Sequence, residues 1–374
     1  MRALGAALLV SVLALAVFAL PSTHAATVSA STTGASAVFI QTNAVNGNQV
    51  AVYDRSSTGG LTWVANYSTG GNGTGSSLAD QGSLAISSDR HWLLAVDAGS
   101  DQVSAFRVGS SGGSVTLNLT NVVSSGGILP VSVTVSGHWV YVLNDGSATS
   151  QGSIAGFWLT ANGKLNPIAG STQALSTTGS TGAAQISFNP AGTVLAVTEK
   201  STNVIDTYTV NSRGVASGPI THTSQGSTPY GFAFGPSGQL IVSEAASDSL
   251  SSYAVSHSGG LKVRSSSIAD LQTAPCWVAV TGGGLYAYTS NGHSNSISSY
   301  AIGSSGKITL LQSIAASTGS GPNDVAIALG AHLLYVYNAG AQDIEAFWIH
   351  SNGTLTWVQT TGGLPSGAEG LVAI

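Results

Sequence analysis

Leu334-Tyr335-Val336-Tyr337-Asn338 decides the fold, because the same phrase, an apolar strand that ends in a polar residue, recurs along the whole chain. The seven copies are residues 38–43, 93–97, 140–144, 195–199, 240–244, 285–290 and 334–338. Their end positions, 43, 97, 144, 199, 244, 290 and 338, differ by 54, 47, 55, 45, 46 and 48 residues. These spacings are typical of the roughly 40–50 residues in a four-stranded propeller blade.

Each copy continues into a second pattern, in which small or polar residues alternate with apolar ones and end in an aromatic residue. Ile297-Ser298-Ser299-Tyr300 and Ile344-Glu345-Ala346-Phe347 are two examples. A period of two indicates a β-strand rather than a helix. A glycine turn follows, as in Asn352-Gly353-Thr354-Leu355, and glycine provides the positive φ that tight hairpins require.

The C-terminal residues provide the inner strand that the first copy lacks. No inner strand precedes Val38, whereas residues 367–374 resemble the inner strands at 275–280 and 322–327. The sequence therefore predicts an all-β fold, a seven-bladed β-propeller of four-stranded antiparallel blades, closed by pairing of the C-terminal strand into the first blade. Closure of this kind removes the exposed sheet edges of an open ring.

The N-terminus has the features of an export signal. Arg2 is followed by an apolar run from Leu8 to Leu20, and the small residues Thr23 and Ala25 are placed for cleavage. The run is too short for a membrane span. We therefore expect a signal peptide at 1–25, a Ser/Thr-rich tether at 26–36 and a propeller at 37–374, in a secreted or periplasmic monomer with no membrane span once the signal is removed. An uncleaved N-terminal anchor is the alternative.

Composition excludes several function classes. The net charge of −5 and the ten scattered basic residues argue against nucleic acid as a partner. Cys276 is the only cysteine, which excludes an intrachain disulfide and a cysteine-based zinc site. No phosphate loop, dinucleotide fingerprint or zinc-protease motif occurs, so neither a cofactor nor a metal ligand set is predicted.

The predicted fold places a candidate site at one face of the ring, where inner strands begin and second strands end beside the central channel. The candidates at inner-strand starts are Asp80, Gln81, Gln185, Tyr230, Cys276, Trp277, Asn323, Asp324 and Glu369. Those at second-strand ends are Asn43, Asp97, Asn144, Asp145, Glu199, Lys200, Glu244, Asn291 and Asn338. Acidic residues dominate and Lys200 is the only base, which favours a cation, a sugar or a neutral ligand over a phosphorylated one. The alternative is structural, with the polar residues capping turns and Cys276 packing in the core.

Histidines are common acid–base catalysts, but most of these lie away from the predicted site. His91, His138 and His332 occupy hairpins on the opposite face, and the other histidines of the predicted propeller outside the site are His222, His257 and His350, on outer strands or hairpins. His293 alone follows a second strand near the channel. The alternative is that His293 is a solvated loop residue.

Several phrases resemble the exported branch of the lactonase-type seven-bladed propellers. They are Val197-Thr198-Glu199-Lys200, Thr228-Pro229-Tyr230-Gly231-Phe232, Val242-Ser243-Glu244-Ala245 and Ala274-Pro275-Cys276-Trp277-Val278. The wider family includes 6-phosphogluconolactonases and carboxymuconate cycloisomerases, so the resemblance implies opening or closing of a lactone ring without a required cofactor. Asp97-Ala98-Gly99-Ser100-Asp101 nearly matches a family phrase, but Asp80 and Gly82 stand where phosphogluconolactonase-like members carry a His-X-His pair.

Two functions follow as hypotheses. The first is hydrolysis of a neutral lactone or cyclic ester, with Glu199 or Glu244 as general base and Lys200 or His293 stabilising the oxyanion. The ligand-binding residues would be Asp97, Asn144, Tyr230, Cys276, Trp277, Asn291, Asp324 and Asn338. The second is a non-catalytic exported propeller that uses the same face to bind a glycan, a metal ion or a protein.

Overall fold

The structure is a computed structural model that describes residue 1 and residues 36–179 and 181–374. The predicted signal peptide and tether, apart from their terminal residues Met1 and Ser36, lie outside the described residues. Within the described part of the chain, no helix is long and apolar enough to cross a membrane.

The described residues form seven antiparallel sheets, numbered here as blades in chain order, with strands β1 to β29 also numbered along the chain. Blade 1 contains β29 (Glu369–Ala373), β1 (Ala37–Gln41), β2 (Gln49–Arg55) and β3 (Leu61–Ser68). Blade 2 contains β4 (Leu84–Ile86), β5 (Trp92–Asp97), β6 (Gln102–Ser111) and β7 (Ser114–Ser124). Blade 3 contains β8 (Pro130–Ser136), β9 (Trp139–Asn144), β10 (Ser153–Leu159), β11 (Leu165–Pro167) and the additional strand β12 (Gln173–Ala174), which also pairs with β10.

The other four blades have four strands each. Blade 4 contains β13 (Ala183–Phe188), β14 (Val194–Glu199), β15 (Val204–Val210) and β16 (Ala216–Thr223). Blade 5 contains β17 (Pro229–Phe234), β18 (Gln239–Glu244), β19 (Ser249–Val255) and β20 (Leu261–Ala269). Blade 6 contains β21 (Pro275–Val280), β22 (Tyr286–Asn291), β23 (Ser296–Ile302) and β24 (Ile308–Ser317), and blade 7 contains β25 (Pro322–Ile327), β26 (Leu333–Asn338), β27 (Asp343–Ile349) and β28 (Leu355–Gly362). Two short 3-10 turns, Ala98–Ser100 and Ala245–Ser247, follow β5 and β18.

The C-terminal strand closes the ring as predicted. β29 pairs with β1, with Val38 opposite Ala373 and Phe39 opposite Val372. The backbones of Ala37 and Ile374 exchange hydrogen bonds of 3.1 and 2.8 Å. Blade 1 thus joins the two ends of the described propeller in one sheet, and the predicted seven-bladed fold is confirmed.

Neighbouring blades are joined by buried tyrosines on second strands. The hydroxyl of Tyr288 donates to the carbonyl of Gly353 at 2.9 Å, and Tyr335 donates to Gly59 at the same distance. Each glycine lies in the outer hairpin of the next blade with a positive φ, 82° at Gly353 and 97° at Gly59. The hairpin glycines that the sequence marks as turns therefore also accept the hydrogen bonds that join one blade to the next.

The inner strands are irregular at the channel. In β17, β21 and β25 the pairing register shifts close to the first residue, which is the signature of a β-bulge. Bulges re-aim side chains and are common beside functional sites. Blade 2 departs further, because its inner strand β4 begins only at Leu84. The prediction that Asp80 and Gln81 begin an inner strand is therefore wrong: the chain reaches the channel there as a loop.

Candidate functional site

Residues 78–82, here called the plug, occupy the channel at the face where inner strands begin. The backbone N–H of Gln81 donates to the carbonyl of Ala184 in blade 4 at 3.0 Å. Its side-chain amide donates to the carbonyl of Val278 in blade 6 at 2.8 Å and accepts from the Val278 N–H at 3.0 Å. Ser132 of blade 3 donates to the Gln81 carbonyl at 2.7 Å. Because these partners come from three different blades, the plug links the ring across its centre.

Three carboxyl groups meet beside the plug. Asp80 belongs to it, Asp324 begins blade 7 and Glu369 begins β29, and all three side chains are buried. Glu369 Oε1 accepts from the Leu78 N–H at 2.6 Å, and Asp324 Oδ2 accepts from the Gly370 N–H at 2.5 Å. Among the described residues, no N–H group and no alcohol or phenol hydroxyl donates to either carboxyl oxygen of Asp80, or to Oε2 of Glu369.

Burial sets the protonation of this acidic cluster. Desolvation, then the neighbouring Glu369, raises the pKa of Asp80 well above its ordinary value. Desolvation also raises the pKa of Glu369, although a hydrogen bond from Asp80 partly offsets the effect. Two carboxyl groups in contact hold one proton between them because both cannot ionise in a buried site. We therefore take Asp80 as protonated and donating to Glu369.

Lys200 is the cation nearest to these acids. Its ammonium group donates to the carbonyl of Ala79 in the plug and, at 3.4 Å, to the carbonyl of Ala183. It also lies 4.9 Å from the centroid of the Tyr230 ring. Desolvation lowers the pKa of Lys200, while the charges of Asp80 and Asp145 oppose that shift. Lys200 therefore contacts the plug directly.

Asp145 brings a less buried carboxylate to the same region. It follows β9, is half-buried, and accepts from the Ala183 N–H through Oδ1 at 2.8 Å. Its charge acts on Lys200, whose ammonium contacts the carbonyl of the same Ala183. The Lys200 ammonium group and the partly exposed Asp145 carboxylate thus both hydrogen-bond to the backbone of Ala183.

Inner strands that contain β-bulges provide the other side chains around the plug and Lys200. Tyr230 and Trp277 pack edge to face, with ring centroids 5.1 Å apart, and the indole N–H of Trp277 donates to the Asp80 carbonyl at 2.6 Å. Cys276 directly precedes Trp277 in β21, and burial raises the pKa of its thiol to about 12. A neutral thiol is a weak nucleophile, so Cys276 acts here as an apolar wall residue.

The carboxylates at second-strand ends lie elsewhere, inside the blades. Glu199 accepts from Ser176 Oγ at 2.5 Å and from Thr202 Oγ1 at 2.7 Å. Glu244 accepts from Ser224 and Ser249 hydroxyls at 2.9 and 3.0 Å. Both side chains are fully buried. Each carboxylate therefore connects the segment that precedes its blade to the turn or strand that follows the carboxylate in the chain.

The same arrangement recurs at the other strand ends. Asp97 accepts from Ser104 at 2.5 Å, and the side-chain amides of Asn291 and Asn338 donate to Ser298 and Asp343 at 2.8 Å in both cases. Asn144 donates to the Ser125 carbonyl at 3.4 Å, and all four side chains are fully buried. His293 lies exposed in the turn between β22 and β23. The predicted residues that meet at the channel are Lys200, Tyr230, Cys276, Trp277 and Asp324.

Sequence reasoning gave no role to Asp80, Asp145 or Glu369, although it placed all three near the channel. One feature of the sequence could have indicated that acidic residues lie close together at the channel. Asp324, Glu369 and Asp80 belong to blades 7, 1 and 2, which become consecutive once the C-terminal strand closes the ring. Their crowding follows from that closure.

The comparisons with known proteins agree with the fold. A sequence profile described as Lactonase, 7-bladed beta-propeller matches residues 44–168, 149–278 and 269–369. The chain belongs to the lactonase family of seven-bladed propellers. Among proteins with curated descriptions, no member of this or another family matches significantly.

Solved structures show the same lactonase-family architecture at low sequence identity. A putative 6-phosphogluconolactonase from Bacteroides fragilis is 18% identical, with a TM-score of 0.70 over 92% of this chain and 99% of that one. The periplasmic gluconolactonase PpgL of Pseudomonas aeruginosa is 16% identical, with a TM-score of 0.71 over 91% of this chain and 99% of that one. At these identities the likeness establishes the fold alone.

Proposed function

We propose that this lactonase-family propeller hydrolyses a neutral lactone or a related cyclic ester at the channel, beside Lys200. The observation that carries the proposal is that the Asp145 carboxylate and the Lys200 ammonium both hydrogen-bond to the Ala183 backbone, close enough for the charge of Asp145 to act on Lys200. Among the described residues, Lys200 is the only basic side chain beside these acidic side chains.

Asp145 and Lys200 each have one role in the proposed reaction. Asp145 accepts a proton from water as the oxygen attacks the lactone carbonyl carbon. Lys200 stabilises the negative charge that develops on the carbonyl oxygen. The ring C–O bond then breaks, the proton returns to the ring oxygen, and the product is an open-chain hydroxy acid. Lys200 must exchange the Ala79 carbonyl for the substrate oxygen, so the lactone binds at the mouth, above the plug.

The surrounding charge selects a neutral substrate. Glu369, which shares a proton with Asp80, and Asp145 both act electrostatically on Lys200. The cluster therefore keeps negative charge, and an anionic substrate group would meet that charge without the arginine forks that bind phosphate. We therefore propose a neutral sugar lactone rather than a phosphorylated one. The N-terminal signal pattern, together with the periplasmic location of the Pseudomonas gluconolactonase, supports action outside the cytoplasm, in a secreted or periplasmic protein.

One observation favours a non-catalytic alternative, in which the same mouth binds a ligand without turnover. The plug ties three blades together, and the Lys200 ammonium is held on two backbone carbonyls, that of Ala79 in the plug and that of Ala183 in blade 4. A cation held in this way suits a rigid binding surface as well as a catalyst.

A turnover assay separates the two functions. Purified protein is offered neutral γ- and δ-lactones, including glucono-δ-lactone, together with a Lys200→Met variant and the matched control Lys164→Met, which removes an exposed lysine in an outer hairpin. Loss of one oxyanion-stabilising group is expected to lower kcat by about 100-fold or more, while the control keeps full activity. Absence of turnover across the panel, or equal turnover by Lys200→Met, would overturn the proposal.

A further inference from the structure

A groove of about 350 Å³ lies between the outer strands of blades 7 and 1, and no residue of the plug lines it. One wall comes from Trp63 and Asn66 of β3, with Thr42 after β1, and the other comes from residues 361–365 at the end of β28 and beyond it. Its volume falls within the range of about 300–1,000 Å³ found for small-molecule sites. The groove lies where the last blade meets the first.

The most unusual feature of this groove is an exposed indole. Trp63 is 59% exposed, although it lies in the middle of a strand. Its Nε1–H donates to Asn66 Oδ1 at 3.1 Å, and the Asn66 amide donates to Gln49 Oε1 at 3.1 Å. This relay holds the ring plane in one orientation before any ligand arrives, which lowers the entropy lost on binding.

The polar lining of the groove is uncharged. None of the residues that line it is Asp, Glu, Lys, Arg or His. Thr361 Oγ1 accepts from Gln359 at 2.9 Å, so its hydroxyl hydrogen remains available to donate to a ligand. Thr42 and the exposed Asn66 add further hydroxyl and amide groups.

These features specify one class of ligand. An aromatic face carries partial negative charge and attracts the partially positive C–H groups on the face of a sugar ring. The ring's hydroxyl groups match uncharged side-chain donors and acceptors, whereas an ionic ligand would find no counter-charge. We propose that this groove binds a neutral saccharide, with one pyranose ring stacked on Trp63. The site is separate from the channel and does not depend on the proposed hydrolysis.

The chain contains a matched control. Trp357 of β28 occupies the corresponding position in blade 7. It is 57% exposed, it directly precedes a register shift along its strand as Trp63 does, and its Nε1–H donates to a residue three positions later, Thr360, at 3.3 Å. Trp357 does not line the groove. Replacement of either tryptophan therefore removes a similar exposed surface, but only one replacement alters the proposed site.

Calorimetric titration of the full chain tests the proposal. The probes are maltose, cellobiose and lactose as neutral saccharides, and glucuronate as the charged comparison. We expect at least one neutral disaccharide to bind with a Kd of about 1 mM, about tenfold weaker binding by Trp63→Ala, and unchanged binding by Trp357→Ala. Thermal unfolding of both variants verifies that each is folded.

Three results would overturn the proposal. They are the absence of heat with all neutral disaccharides, equal binding by wild type and Trp63→Ala, and stronger binding of glucuronate than of the neutral sugars. Loss of lactone turnover in Lys200→Met has no bearing on this titration, so the two sites are tested independently.

Discussion

At the scale of single residues, one step along the chain separates a structural carboxylate from a channel cation. Glu199 is the last residue of β14 and Lys200 is the next residue. Successive side chains near a strand end point in opposite directions. Glu199 therefore bonds to Ser176 and Thr202 inside the blade, while Lys200 reaches the plug. The sequence places both residues at the correct face, but the direction of each side chain depends on where the strand ends.

We expect Glu244→Ala to affect stability rather than catalysis. The substitution leaves the hydroxyls of Ser224 and Ser249 without their buried acceptor and opens a cavity. The free energy of unfolding should fall by about 2–4 kcal/mol, measured by denaturant titration. The kcat/KM of the folded fraction should stay within about twofold of wild type. A variant of normal stability with a large loss of kcat would instead assign Glu244 to the chemistry.

The pair Asp80 and Glu369 predicts that stability falls as pH rises. The pKa of each is raised in the folded state, so above the ordinary aspartate value of 3.8 the folded protein keeps a proton that the unfolded chain loses. This contribution is fully present at lower pH and is lost as pH rises through the folded pKa. Asp324 and Lys200 face the same pair, and burial raises the pKa of Asp324 as well.

Asp80→Asn isolates that effect because it mimics the protonated carboxyl group. The variant should match wild type near pH 4 and be more stable than wild type at pH 8, with unfolding free energies measured at both. Asp206 and Asp270, whose pKa values are raised to about 7 and about 6, titrate equally in both proteins and cancel in the difference. A constant difference across this pH range would contradict the shared proton.

At the scale of elements, regular strands follow from the sequence and the plug does not. Alternation of polar and apolar residues locates second and third strands correctly, because each pattern is local. The plug has no such period, and its partner Val278 lies 197 residues away along the chain. Its conformation depends on contacts with distant blades and on the left-handed backbone at Ala79 and Gly82, with φ of 53° and 88°.

Gly231→Ala should displace the plug. A methyl group at Gly231 would overlap the Gln81 amide oxygen and the Cys276 carbonyl, so the Gln81 side chain must leave Val278. We expect faster hydrogen exchange at the Val278 N–H and at the Trp277 indole N–H, measured by NMR. Gly238→Ala is the control for added bulk, since a methyl group there meets no atom within 4 Å, although its positive φ of 84° adds local strain. Equal exchange at Val278 in both variants would contradict the contact.

At the scale of the whole molecule, ring closure creates the acidic centre. The repeat spacing predicts seven blades, and the likeness of the C-terminal strand to inner strands predicts closure. Once the ring is closed, the inner strands of blades 7 and 1 bring Asp324 and Glu369 next to the plug residue Asp80, which precedes blade 2. Their proton sharing and the approach of Lys200 were not predictable, because both depend on bulges and on the path of the plug.

A chain that ends at residue 366 should lose cooperative folding. It lacks β29, which supplies the inner strand of blade 1 and the Glu369 carboxylate that binds the Leu78 N–H. The exposed edge of β1 would favour association between chains. We expect a broad thermal transition and larger species in sedimentation. A sharp transition in a monodisperse truncated protein would contradict closure by the last strand.

The most direct test of the central claim compares two variants on one lactone. The claim is that chemistry takes place at Lys200 in the channel and not at the carboxylates inside the blades. The measurement is kcat/KM of folded Lys200→Met and folded Glu244→Ala with the best neutral lactone of the panel. We predict a loss of about 100-fold or more in the first variant and near wild-type turnover in the second. Full activity in Lys200→Met, with activity lost in Glu244→Ala, would contradict the account.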